Sequence, residues 1–75
     1  MEEKILEILC DINEEIASYT GDNLFEAGLL DSFQVIDLVA ELEDAFDMEI
    51  DASYVVIENF ATKEAVIALM KKLLS

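Results

Sequence analysis

The 75-residue chain has the length of one domain and carries 18 acidic residues against four lysines, for a formal charge of −14. Phosphate backbones and anionic membranes would repel that surface, which argues against nucleic-acid binding and direct membrane insertion. There is no histidine, so neither a Ser-His-Asp nor a Cys-His mechanism can be assembled within the chain.

The opening Met1-Glu2-Glu3-Lys4 is not a signal peptide, and no apolar run reaches the length of a membrane span. The expectation is a cytoplasmic protein. A helix is expected from Glu2 to Ser18, because Ile5, Ile8, Leu9, Ile12 and Ile16 recur at steps of three and four. Cys10 lies at the margin of that stripe and reads as a packing residue. As the single cysteine it allows no internal disulfide, and with carboxylates alone it makes poor zinc chemistry.

Thr20-Gly21-Asp22-Asn23 is a turn cluster that ends the first helix. The loop from Leu24 to Leu30 is rich in apolar residues and is expected to pack back on the bundle. Gly28 gives it backbone freedom just before the next helix. That second helix should run from Ser32 to about Phe46, with Asp31 as N-cap and Gln34 at capping-box spacing. A short helical turn is expected around Ser53 to Ile57. The last helix spans Thr62 to Leu74, with Thr62 as cap and Ala65, Val66, Leu69, Met70 and Leu73 on its apolar face. Lys71 and Lys72 in its last turn suit the helix dipole. The fold class is all-α: a small bundle of three longer helices and one short helix, in which residues 1–75 form a single domain.

Stepping around the second helix at about 100° per residue from Ser32 places Val35, Leu38, Val39, Leu42, Ala45 and Phe46 in one arc. That arc is the expected buried face. Phe33, Ile36 and Ala40 fall on a neighbouring face beside Ser32, framed by Asp37, Glu43, Asp44 and Asp47. Two readings stay open for this strip: a protein contact site with an acidic rim, or core packed beneath the long loop. Ser32 also has two readings. A serine suits a helix start on propensity alone, and free backbone N–H groups at that end would equally favour a phosphate. Carboxylate pairs such as Glu43 and Asp47 exist, but on so acidic a chain they arise by chance. The acidity itself could serve solubility, or could steer a basic partner.

The run from Asp22 through Asp31-Ser32-Phe33, the acidic helix, and the close Phe46-Asp47-Met48-Glu49-Ile50 resemble an acyl carrier protein. The resemblance extends over nearly the whole chain, to Asn59-Phe60-Ala61-Thr62 before the final helix. It implies a four-helix bundle of acyl-carrier type. It also implies a covalent 4′-phosphopantetheine arm on Ser32, derived from coenzyme A and added by a separate, magnesium-dependent phosphopantetheinyl transferase. The arm's thiol would hold cargo as a thioester, and the chain would be a monomeric, non-catalytic carrier. Partners would be that transferase, an acyl- or aminoacyl-loading enzyme and downstream synthases with basic docking surfaces. Carried over by position, Asp31, Asp37, Glu43 and Asp44 match acidic docking positions, and Phe33, Ile36 and Ala40 match apolar ones. Gln34 stands where many fatty-acid carriers have an acid.

Two carrier types are similar to the chain. The Phe46-to-Ile50 segment and the acidity look like the fatty-acid type, which makes a general acyl carrier the first expectation. The spacing Gly28-Leu29-Leu30-Asp31-Ser32 looks more like D-alanyl carriers of teichoic-acid modification and stand-alone carriers of biosynthetic clusters. The absence of tryptophan speaks against the D-alanyl type. A third reading, from another class, is an acidic interaction module whose Ser32 is never modified.

Overall fold

Apolar residues at helical spacing, with one polar interruption, set the architecture. The computed structural model describes residues 2–74, and its regular structure is entirely helical among them. The order is α1 (Glu2–Ile12), a 3-10 turn over Glu14–Ser18, α2 (Ser32–Phe46), a 3-10 turn over Ala52–Tyr54, α3 (Ile57–Phe60) and α4 (Lys63–Leu74). The all-α plan of three longer helices and one short helix is the expected one.

The first helix is shorter than its periodicity suggests. Asn13 takes an extended conformation (φ −159°, ψ 114°), and its side-chain oxygen accepts the Glu15 N–H at 2.9 Å. Asn offers the backbone this local alternative to helix bonding, so α1 ends at Ile12 and a 3-10 turn follows. The stripe reads through the break because Ile16 still reaches the core, fully buried beside Ile5 and Leu9.

The loop before α2 is tightly organised. The Tyr19 hydroxyl accepts the Asn23 N–H at 3.2 Å and donates to the Asn23 carbonyl at 3.0 Å. Gly21 lies against that ring: a Cβ there would sit 2.3 Å from the Tyr19 oxygen, so no larger residue fits without displacing it. Asn23 Oδ1 then caps the next turn by accepting the Phe25 and Glu26 N–H groups. Gly28 closes the turn in the left-handed region at φ 78°, which glycine adopts without steric cost. Leu24 and Leu30 are buried, so the loop packs back on the bundle as expected.

In α2, Val35, Leu38 and Leu42 are buried. Ala45, expected in the same face, is exposed. It lies at the edge of the apolar arc and in the last turn, so its side chain escapes the packing. The helix ends at Asp47, left-handed at φ 50°, whose N–H bonds the Glu43 carbonyl. Such an αL stop is usually taken by Gly or Asn.

The short helix is also displaced from its expected span. Ser53 and Tyr54 belong to a 3-10 turn capped by Asp51, Val55 and Val56 form a link, and α3 begins at Ile57. Val55 and Val56 are β-branched and poor helix formers, which explains the break between the 3-10 turn and α3. Thr62 caps α4 as expected, its hydroxyl accepting the Ala65 N–H at 3.0 Å.

The core lies where α1 packs on α2 and α4, with α3 packed on α4. Leu9, Leu38, Leu42, Phe60 and Met70 are fully enclosed within it, and among the described residues no polar or charged one is buried. Three lysines hold the periphery. Lys71 pairs with Glu2 at 3.0 Å, Lys63 donates to the Ala17 carbonyl at 2.6 Å, and Lys72 lies 5.5 Å from the Tyr54 ring centroid. The Lys71–Glu2 pair is half exposed, so its contribution is small. Among the described residues no helix is long and apolar enough to cross a membrane.

Candidate functional site at the start of α2

The local sequence Asp31-Ser32-Phe33-Gln34 builds the site. Asp31 is extended, and its Oδ1 accepts the Gln34 N–H at 2.8 Å while its carbonyl accepts the Val35 N–H at 2.9 Å. Only half of a capping box forms, because the Gln34 side chain returns no bond among the described residues. The Ser32 and Phe33 N–H groups, in the first helical turn, also have no protein partner among the described residues. Ser32 itself is exposed at the first position of a 15-residue helix. An accessible hydroxyl beside two open amides and the positive end of a helix dipole suits a phosphodiester.

Beside Ser32 lies an apolar cleft of about 330 Å³. Val35 and Ile36 of α2 form one side. Val55, Val56 and Ile57 form the other, and Phe25 and Phe60 complete it. A donor set of one free hydroxyl, two free amides and an apolar cleft fits a phosphate-linked arm with an extended organic chain. When bound, such an arm supplies a thiol for thioester chemistry.

The structure separates the two readings of the apolar strip. Phe33 is 80% exposed and Ile36 63% exposed, so neither is packed beneath the loop. Ala40 is exposed as well, and so are Asp31, Asp37 and Asp44. Val56 and Ile57 extend the apolar exposure across the cleft. Periodicity alone did not place those two, because Val56 lies in a link with no regular repeat and Ile57 opens a helix of only four residues.

Glu43 differs from the three acidic residues just named. It is half-buried, and its Oε2 accepts the Ile50 N–H at 2.7 Å. With Ala40, Asp44, Asp47, Met48 and Glu49 it lines a second, open depression of about 440 Å³. Among the described residues no group of three or more His, Cys, Asp or Glu side chains is placed to hold a metal ion. Asp51, at the 3-10 turn, has its carboxyl held below the usual 3.8 by hydrogen bonds from the Ser53 backbone N–H and then its hydroxyl.

The family model described as "Phosphopantetheine attachment site" matches residues 3–70. The chain belongs to this phosphopantetheine carrier family. Membership implies a covalently attached phosphopantetheine prosthetic group. Among curated relatives, the D-alanyl carrier protein of Listeria welshimeri is 36% identical over 73 residues, covering 95% of this chain and 94% of its own length. Those of Leuconostoc citreum and Latilactobacillus sakei are each 33% identical over 75 residues, covering 96% of their own lengths. No solved structure matches the chain. These comparisons favour the second of the two carrier types expected from the sequence over the first, because the relatives compared are named as D-alanyl carriers.

Proposed function

We propose that this chain is an aminoacyl carrier that holds D-alanine as a thioester on a 4′-phosphopantetheine arm attached to Ser32. The observation that carries the cargo is the near full-length similarity to proteins named as D-alanyl carriers. The support for Ser32 is its exposure at a capped helix start with two open amides, beside an apolar cleft.

In this reading the chain does no chemistry of its own. No histidine is present to activate Ser32, so the base belongs to the transferase that adds the arm. The chain's part is to present the hydroxyl, favour the phosphate charge at the helix start, and offer a docking face. That face consists of the exposed Phe33, Ile36 and Ala40 with Asp31, Asp37 and Asp44 around them. A partner with a basic rim and an apolar centre would be steered to it by charge and seated by Phe33. The protein acts as a cytoplasmic monomer, and an arm of fixed length keeps the cargo at high local concentration around each docked enzyme.

The cleft favours a second reading, a general acyl carrier, because its apolar walls would shelter a hydrocarbon chain better than an alanyl group. The deciding experiment loads the armed protein. Armed chain is incubated with ATP, D-alanine and a D-alanine-activating enzyme, and in parallel with an acyl-loading enzyme and its acyl-coenzyme A. D-alanyl thioester formation on the intact mass supports the proposal. Acyl loading without D-alanyl loading would replace it with the second reading.

A further inference from the structure

Glu43 stands at a position where the resemblance implies a docking acid, but its geometry points to a different task. Its carboxylate reaches seven residues along the chain to the Ile50 N–H, at 2.7 Å. Such a short bond to an ionised acceptor is of the strong, charge-assisted kind. The same residue accepts twice more through its carbonyl, from the N–H of Asp47 and from that of Met48. One residue thus fixes both the left-handed stop of α2 and the return of the chain to the core at Ile50, which is 7% exposed.

The segment beyond Ile50 leads directly to the cleft. Asp51 caps the 3-10 turn at Ser53, the Val55 N–H bonds the Ala52 carbonyl, and Val55 to Ile57 form the far side of the cleft. The near side, Val35 and Ile36, belongs to the same helix as Glu43.

We infer that Glu43 is a positioning residue: its side chain sets where the Val55–Ile57 wall stands relative to α2, and its charge is not a docking contact. The inference rests on the carrier reading only for the meaning of the cleft. The bond itself is independent of the cargo.

Two variants of the full chain separate the roles. Glu43→Gln keeps an oxygen that can accept the Ile50 N–H and removes the charge. Glu43→Ala removes both. Backbone amide exchange and chemical shifts are measured by NMR on each, and the KM of each for a broad phosphopantetheinyl transferase is measured with coenzyme A. In Glu43→Ala, exchange at Ile50 should accelerate about tenfold or more, with shift changes at Val55, Val56 and Ile57. In Glu43→Gln the acceleration should stay within about fivefold, the wall resonances should hold their positions, and the transferase KM should stay within about twofold of wild type. An equal rise in KM in both variants, with the Ile50 amide unchanged, would overturn the inference and make Glu43 a docking charge. Wild-type exchange at Ile50 no slower than at the exposed Glu49 would overturn it too, even if the alanine variant failed to fold. Failure to load D-alanine would bear on the cargo and leave these readouts intact.

Discussion

The Leu24 N–H donates to the Ala61 carbonyl at 2.7 Å, tying the loop that leads to Ser32 to the end of α3. This bond joins the two segments that complete the cleft, because Phe25 follows Leu24 and Phe60 precedes Ala61. The loop is therefore fixed at its start by the Tyr19–Asn23 pair and again by α3. It reaches Ser32 as an ordered structure rather than a tether.

Phe60→Ala should destroy that arrangement. Phe60 is fully buried, so its truncation should cost about 3–5 kcal/mol, a large share of the stability of so small a domain. Chemical denaturation monitored by helical circular dichroism checks this. A loss below about 1 kcal/mol would mean that the α3–loop junction repacks freely.

Phe33→Ala and Ile36→Ala should behave in the opposite way. Both side chains are largely exposed, so stability should change by no more than about 0.5 kcal/mol. Partner binding should weaken severalfold, read as a raised KM of the transferase or loading enzyme for the carrier. Unchanged KM in both variants would remove this strip from the docking face.

The charge of −14 on a domain this small opposes the compact state. Added sodium chloride should therefore raise the melting temperature over the first few hundred millimolar, where screening changes most. A melting temperature indifferent to salt would show that self-repulsion is not a significant cost.

Asp51 gives a prediction with a defined sign. Hydrogen bonds from Ser53 lower its folded-state pKa below 3.8. Its contribution is then fully present above the unfolded value and is lost as pH falls through the lower folded one. Asp51→Ala should lower the melting temperature at pH 6, and the gap from wild type should shrink at acid pH below 3.8. A gap that widened on acidification would contradict the assigned direction.

Much of this molecule can be read from residue order, and the exceptions share a cause. The start of α2 is plain because Asp31 caps it and Val35, Leu38 and Leu42 repeat behind it. The end of α1 is hidden because Ile12 and Ile16 are four apart, the spacing of an unbroken helix. Only the side-chain bond of Asn13 reveals the interruption. The cleft wall is hidden for a related reason: Val55 and Val56 lie in a link whose direction depends on Glu43 and Ile50 meeting across seven residues. Periodicity reports which face of a regular element is buried. It is silent on where irregular segments are pinned by single polar contacts. Ser32 is a third kind of case. Its helix-start position follows from the sequence and its exposure from the structure, while its role as the point of attachment is a proposal that family membership supports.

The attachment of the arm to Ser32 is the central claim, and intact mass tests it most directly. The purified chain is incubated with coenzyme A, magnesium and a broad phosphopantetheinyl transferase, beside a Ser32→Ala variant. Wild type should gain the mass of one phosphopantetheine, and the variant should gain none while keeping its helical signal. No gain in wild type, under conditions that arm a known carrier, would contradict the account, and so would a gain that persisted in the variant.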